Sequence, residues 1–429
     1  MKNSFDDKNP TWYRLDNSAK IYPATRSKTR SNVFRLSVVL KEAIDPEVLA
    51  RALSTVITRF PCFSVRIRRG LFWYYLEHNP GVPEVGLDTA NPRIQMSWHE
   101  NNGFLYRVLY YSRTISLECF HSITDGVGGM EFLKALCAQY LRLLGYNIEE
   151  DHNIIDIDTS PIIEEIQDSF LKYAKKGKLI FSRGKKAYRI IGTLEPPGKH
   201  HITTGILHVD EVLKVSRAMN VSVTEYLVGT LIYVFYMHQK EHSKLKSRPI
   251  TISVPINLRN YFESKSLRNF TISITVGIDT NLGEYSFEEI VSQVHHYMRY
   301  SINSKFLMEQ MSANVSAERN RFVRITPLFI KNKCLAVALN VFHDSKISSS
   351  LSNVGRIVVP DSMSEHIERF EAMSSPSHMK LVNCVVVSHK NTLVINFTSA
   401  IAESDIEREF FRLLVQKGLK VKIESSDSQ

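Results

Sequence analysis

No stretch of the chain offers the roughly 18 consecutive apolar residues that a membrane-spanning helix needs, so no membrane span is expected. Cysteine is scarce. The five residues Cys62, Cys119, Cys137, Cys334 and Cys384 are scattered, odd in number and free of C-x-x-C spacing. That excludes a disulfide framework and fits reduced thiols in a cytoplasmic protein. Acids are the minority charge, 44 against 54 Lys and Arg, which leaves a formal net charge of +10. A basic surplus draws nucleic acid, acidic carrier proteins and phosphate-bearing cofactors alike, and does not choose among them. No internal repeat is visible. The opening MKNSFDDKNP is polar and carries acids early, so it does not read as a secretory signal.

The histidines His200, His201, His295, His296 and His343 lack carboxylate or cysteine partners at ligand spacing in the sequence, so no metal site is expected. No helix-turn-helix, zinc or RNA-binding motif is present, so nucleic acid is not an expected partner.

What is present is a globular composition, 43% hydrophobic and 23% charged, which excludes a disordered or collagen-like chain. At 429 residues the chain exceeds one ordinary domain. VFRLSVVL reads as a strand. Asp45-Pro46 opens a helix with Val48, Leu49, Ala52, Leu53, Val56, Ile57 and Phe60 on one face, stopped by Pro61, and FSVRIRR, LFWYYLEH, FLYRVLYY and TISLECFH read as further strands. A helix from Met130 ends at Gly145. Beyond residue 200, TGILHVD, PITISVPINL, NFTISITVGID, LSNVGRIVV, LVNCVVVSH and TLVINFTSA read as strands. They alternate with helices over VLKVSRAMN, TEYLVGTLIYVFYMHQ, SFEEIVSQVHHYMRYSINS and IEREFFRLLVQKGL. The class is α/β with mixed sheets. Residues 1–170 form one lobe, 171–199 a basic crossover and 200–429 the second lobe. The basic run holds Lys172, Lys175, Lys176, Lys178, Arg183, Lys185, Lys186 and Arg189. It reads either as a solvated linker or as a contact for phosphates or an acidic partner.

The chemistry lies in CFHSITDGVGG, residues 119–129. An apolar strand runs into His121, Asp125 follows four residues later, and glycines 126, 128 and 129 introduce a helix. A histidine at the end of a buried strand, beside a glycine-rich turn, can serve as general base toward a hydroxyl, thiol or amine attacking a carbonyl. The plain alternative is a core histidine bonded to local backbone, with Asp125 as a helix-capping residue.

HSITDG, following a hydrophobic strand and preceding a glycine-rich helix start, resembles the HxxxDG motif of the CoA-dependent acyltransferase superfamily. That superfamily comprises chloramphenicol acetyltransferase-like proteins, plant BAHD acyltransferases, condensation domains and alcohol acetyltransferases. VITRFPCFSVRI, VPINLRNYFESKSLRNF (254–270) and LSNVGRI (351–357) are similar to further elements of the family, in matching order along nearly the whole chain. The resemblance implies a two-lobed chloramphenicol acetyltransferase-like fold with the active-site tunnel between lobes. It implies His121 as catalytic base, and Asp125 as a structural aspartate paired with a distant arginine, Arg259 or alternatively Arg268. It also implies Gly126 as the glycine that leaves room beside the base. Ser352, with Asn353, would lie on a late strand able to donate to the oxyanion; an ordinary strand-end hydrogen bond is the competing reading for both. Two family features are absent: Phe120 stands where condensation domains carry a second histidine, and there is no D-F-G-W-G segment. Both absences point toward the alcohol acetyltransferase branch.

The implied activity is acyl transfer from acyl-CoA, a co-substrate and not a bound cofactor, to an alcohol or amine, with activity falling at acid pH through an apparent pKa near 6–7. A carrier-protein-dependent condensation or release enzyme and a noncatalytic binding protein are the alternatives. Because two lobes in one chain can enclose the tunnel, a monomer is expected.

Overall fold

The structure is a computed structural model and describes residues 12–27, 29–89, 96–177, 184–196, 198–242 and 247–425. VFRLSVVL has β-branched or bulky apolar side chains on both faces of an extended chain, which suits a central strand covered on both sides. It forms the strand Val33–Leu40, buried at every position. Antiparallel Thr114–Phe120 pairs with it from Val33 opposite Phe120, and Tyr106–Tyr111 and Val85–Leu87 continue the sheet outward.

Two helices bury their apolar stripes with this sheet. Pro46–Val56 starts where the Asp45 carboxylate accepts from the amides of Glu47 and Val48 at 2.9 and 3.1 Å, satisfying two of the free donors that every helix start leaves. Gly126–Leu143 starts four residues before the expected Met130 and is followed by Gly145 at φ 94°, a left-handed position that glycine enters at no steric cost. Together they build the first core, around Leu53, Phe63, Phe132 and Leu136.

A second sheet has seven strands, in the order Thr271–Ile278, Ile250–Asn257, Ser349–Ile357, Val382–His389, Thr392–Ser399, His201–His208 and Lys422–Ser425. Only Ser349–Ile357 is parallel to its neighbours, the rest being antiparallel. Helices Val223–His242, Phe287–Ser301 and Asp405–Gln416 share its core. Val223–His242 is buried along most of its length, as its nearly all-apolar sequence requires. No single helix among the described residues is long and apolar enough to cross a membrane.

Two features went unread in the sequence, and of a third, the small sheet, only the strand Trp12–Arg14 was missed. The strand Ile367–Ser374 lies in the C-terminal half, yet it pairs antiparallel with Val33–Leu40 and completes the first sheet. Its sequence, IERFEAMS, alternates charge with bulk and carries no strand-like run. Helices Ser304–Arg319, Arg321–Ile325 and Leu328–Ala338 fill the interval before the late strand. A small sheet of Trp12–Arg14, Tyr74–His78 and Val65–Arg69 stands apart from the two large ones. The crossover region contains the helix Ser169–Tyr173, and within it Lys172 reaches the Glu263 carbonyl at 3.3 Å while Lys185 pairs with Asp279 at 2.9 Å. Lys178 and Arg183 lie outside the described residues.

Candidate active site

His121 stands one residue past the end of Thr114–Phe120, where its backbone N–H still reaches the Asn32 carbonyl at 3.0 Å. The imidazole stacks on Tyr22, ring centres 4.8 Å apart and planes 16° from parallel, and leans on Phe34 at 4.5 Å. His121 is half-buried, and its Nδ1 is enclosed without a hydrogen-bonding partner among the described residues. Burial pushes the ring below its ordinary value of 6.5, while the Asp125 charge and the Asn269 side chain pull the other way. The group is therefore poised as the neutral base and is harder to protonate than the 6–7 expectation.

Asp125 is 1% exposed and faces away from that ring chemistry. Its Oδ1 accepts from the amides of Val127 and Gly128, both at 3.1 Å, and so caps the helix. Its Oδ2 accepts from Arg259 Nη1 and from the Phe270 amide, both at 2.8 Å. Arg259 spends its other donors on the carbonyls of Ser266 and Arg268. Arg268, the alternative partner, turns instead to the carbonyls of Arg14 and Ile166 and lies 3.7 Å from Asp16. Asp125 thus holds geometry: one carboxylate joins the start of the helix to the 258–270 connection between the strands Ile250–Asn257 and Thr271–Ile278.

Three more residues tighten the same junction: Gly128, which the sequence marks as one of the turn glycines, and Asn269 and Thr124, which it does not single out. Asn269 Nδ2 donates to the His121 carbonyl at 2.8 Å and to Asp16 at 3.2 Å. Thr124 Oγ1 donates to the Leu267 carbonyl at 2.6 Å. A Cβ on Gly128 would sit 2.0 Å from that Leu267 oxygen and 2.3 Å from Thr124 Oγ1, so only glycine fits. At Gly126 the opposite holds: a Cβ would meet nothing within 4 Å. The resemblance asked Gly126 for room beside the base, whereas the glycine that packing forces is Gly128. Adjacency to the singled-out Asp125 and Arg268 was the available signal for Thr124 and Asn269.

Ser352 and Asn353 lie on Ser349–Ile357. Asn353 is committed to its own surroundings, donating to Thr224 Oγ1 at 2.8 Å and accepting from the Gly355 amide at 2.9 Å, where the strand bulges. Ser352 Oγ makes no hydrogen bond among the described residues. Neither is hydrogen-bonded to His121.

Two cavities come close to the loop. One of about 780 Å³ is lined by Lys20, Trp73, Arg319 and Arg324, among others, and Lys20 follows Ala19, whose carbonyl accepts from Ser122 Oγ at 3.3 Å. The other, about 440 Å³, is lined by Ser31, Lys199, His200 and His378, and Ser31 precedes Asn32. His121 lines neither. Tyr22 and Phe34 cover its ring.

No protein-family model matches the sequence, and no curated protein matches it in sequence. In structure the chain is similar to polyketide synthase associated protein 5 from Mycobacterium tuberculosis, with a TM-score of 0.61 and 14% identity over 94% of this chain and 97% of that one. It is similar to trichothecene 15-O-acetyltransferase from Fusarium sporotrichioides, with a TM-score of 0.60 and 10% identity over 97% of this chain and 96% of that one. It is also similar to F. graminearum TRI101 complexed with coenzyme A and deoxynivalenol, with a TM-score of 0.60 and 10% identity over 96% of this chain and 99% of that one. Condensation domains of peptide and polyketide synthases match over a similar span. The chain therefore has the two-lobed chloramphenicol acetyltransferase-like fold that CoA-dependent acyltransferases and condensation domains share.

Proposed function

We propose that this chain is an acyltransferase that moves an acyl group from a thioester, acyl-CoA, to a hydroxyl or amine acceptor, with His121 as general base. The observation that carries the reading is the locked HSITDG loop. The connection between Ile250–Asn257 and Thr271–Ile278 clamps Asp125, Thr124 and the His121 carbonyl through Arg259, Leu267, Phe270 and Asn269, while Nδ1 of the imidazole makes no hydrogen bond among the described residues. The Asp125 carboxylate and the Arg259 guanidinium are occupied in holding the backbone still, and Nδ1 of His121 is left without a hydrogen bond among the described residues. His389, by contrast, bonds through both ring nitrogens, to Ser364 and to the Ile357 carbonyl.

In the reaction, neutral His121 takes the proton from the acceptor O–H or N–H as that oxygen or nitrogen attacks the thioester carbonyl carbon. The new bond forms, the carbonyl oxygen becomes an oxyanion, and Ser352 Oγ is the proposed donor to it. Collapse breaks the carbon–sulfur bond, and the imidazolium returns its proton to the departing thiolate. The imidazole ends as it began, and no covalent enzyme intermediate is needed. The net charge of +10 favours approach of a polyphosphorylated donor. Thiol release from acyl-CoA, assayed against a panel of alcohols and amines, tests the reading. Turnover with free acyl-CoA supports it; turnover only with a carrier-bound thioester moves the donor to a carrier protein; no turnover with either removes it.

A further inference from the structure

The sequence reading found no metal ligands, yet folding assembles His238, His242 and Asp405 at one place. The first two stand one helical turn apart near the end of Val223–His242, and Asp405 is the first residue of Asp405–Gln416. One donor atom from each lies within 4.8 Å of the other two. The imidazole rings are stacked, 4.2 Å between centres and 18° from parallel, so both present the same side of the helix.

The decisive detail is how the rings are held. His242 Nδ1 lies 3.1 Å from the His238 carbonyl, which can only accept, so Nδ1 carries the proton and Nε2 carries the lone pair. His238 Nδ1 lies 2.9 Å from the Tyr188 hydroxyl, which can accept from it and leave Nε2 free in the same way. Metal-binding histidines are oriented like this, their second nitrogen donating to a carbonyl or other acceptor. Asp405 also pairs with Arg408. Arg408 must share or release that carboxylate once an ion enters.

We propose that His238, His242 and Asp405 form a binding site for a divalent transition-metal ion of the zinc class, separate from the acyl-transfer machinery. Two imidazoles and one carboxylate suit zinc, at about 2.0–2.2 Å from each donor. Side-chain rotation would have to bring the three atoms to that distance from their present separations within 4.8 Å. The ion would pin the end of one C-lobe helix to the start of another.

The full chain, stripped with chelator and titrated with Zn²⁺ by calorimetry, tests this, with the visible spectrum of Co²⁺ reporting the ligand set. The expected result is one saturable ion per chain and a melting temperature that rises with Zn²⁺. His242→Ala and Asp405→Asn each lose the saturable site, and Tyr188→Phe weakens it about 10–100-fold. No saturable binding by the native chain, or native affinity retained in His242→Ala or Asp405→Asn, overturns the proposal and leaves an adventitious ion only.

Discussion

Arg259 Nη1 lies 2.8 Å from Asp125 Oδ2, and the pair spans the two lobes with the carboxylate almost wholly enclosed. Each partner is fully supplied: the carboxylate accepts four hydrogen bonds, and the guanidinium also caps the carbonyls of Ser266 and Arg268. A buried ion pair gains little over an apolar pair of the same shape, but removing one member strands the other. Arg259→Ala is expected to cost about 3–5 kcal/mol, read from the denaturant midpoint. Arg259→Lys recovers little of it, since an ammonium cannot serve the carboxylate and two carbonyls with a planar fork. A loss below about 1 kcal/mol in Arg259→Ala, the level of an exposed pair, contradicts this role.

The two glycines of the loop separate packing from room for substrate. Gly128→Ala drives a methyl into the Leu267 carbonyl at 2.0 Å, and overpacking against backbone costs about 1–3 kcal/mol or more. Gly126→Ala meets nothing within 4 Å and begins a helix, so its stability should stay level or rise by about 0.4–1 kcal/mol. If that open space receives substrate, Gly126→Ala raises KM or lowers kcat in a fully folded protein. Melting curves and steady-state kinetics on the two variants decide it; equal stability loss in both contradicts the assignment.

The pH dependence follows from His121. Its folded value lies below 6.5, chiefly through burial, so the neutral base persists at mildly acid pH. Acyl transfer should be level near neutrality and fall only as pH drops through an apparent pKa below 6.5. The same shift affects stability. Below 6.5 the unfolded ring takes up a proton that the folded ring resists, so stability falls as pH drops from 6.5 toward the folded value and is fully present above 6.5. A pH–rate profile with its acid limb above 7 contradicts this placement of the proton.

Ser352 gives a sharper test of the oxyanion. Its hydroxyl has no partner to lose among the described residues, so Ser352→Ala should melt like the native chain. If it donates to the oxyanion, kcat falls about 10²–10³-fold. Unchanged kcat assigns that task to backbone amides.

Much of this was legible in the sequence for particular reasons. VFRLSVVL and CFHSITDGVGG declare themselves because a covered strand and a glycine-rich helix start leave few choices of residue. Asp125 and Arg259 were paired only through resemblance, since nothing in the spacing of residues 125 and 259 brings them together. The strand Ile367–Ser374 stayed hidden because its partner, Val33–Leu40, supplies the apolar context that its own charged sequence lacks. The cover of Tyr22 and Phe34 on His121 and the grouping of His238, His242 and Asp405 are likewise products of tertiary packing between distant segments. Those segments carry no periodicity that foretells the meeting. His201, His295 and His343 also gain carboxylate neighbours, Glu195, Glu225 and Asp344, at 2.5, 3.1 and 3.1 Å, correcting the reading of partnerless histidines.

Thiol release from acyl-CoA in the native chain and in His121→Ala, each verified as folded by its melting curve, bears on the central claim most directly. The account predicts acceptor-dependent release by the native protein and a fall of about 10²–10⁴-fold on losing the imidazole. Equal release by a folded His121→Ala protein would contradict it.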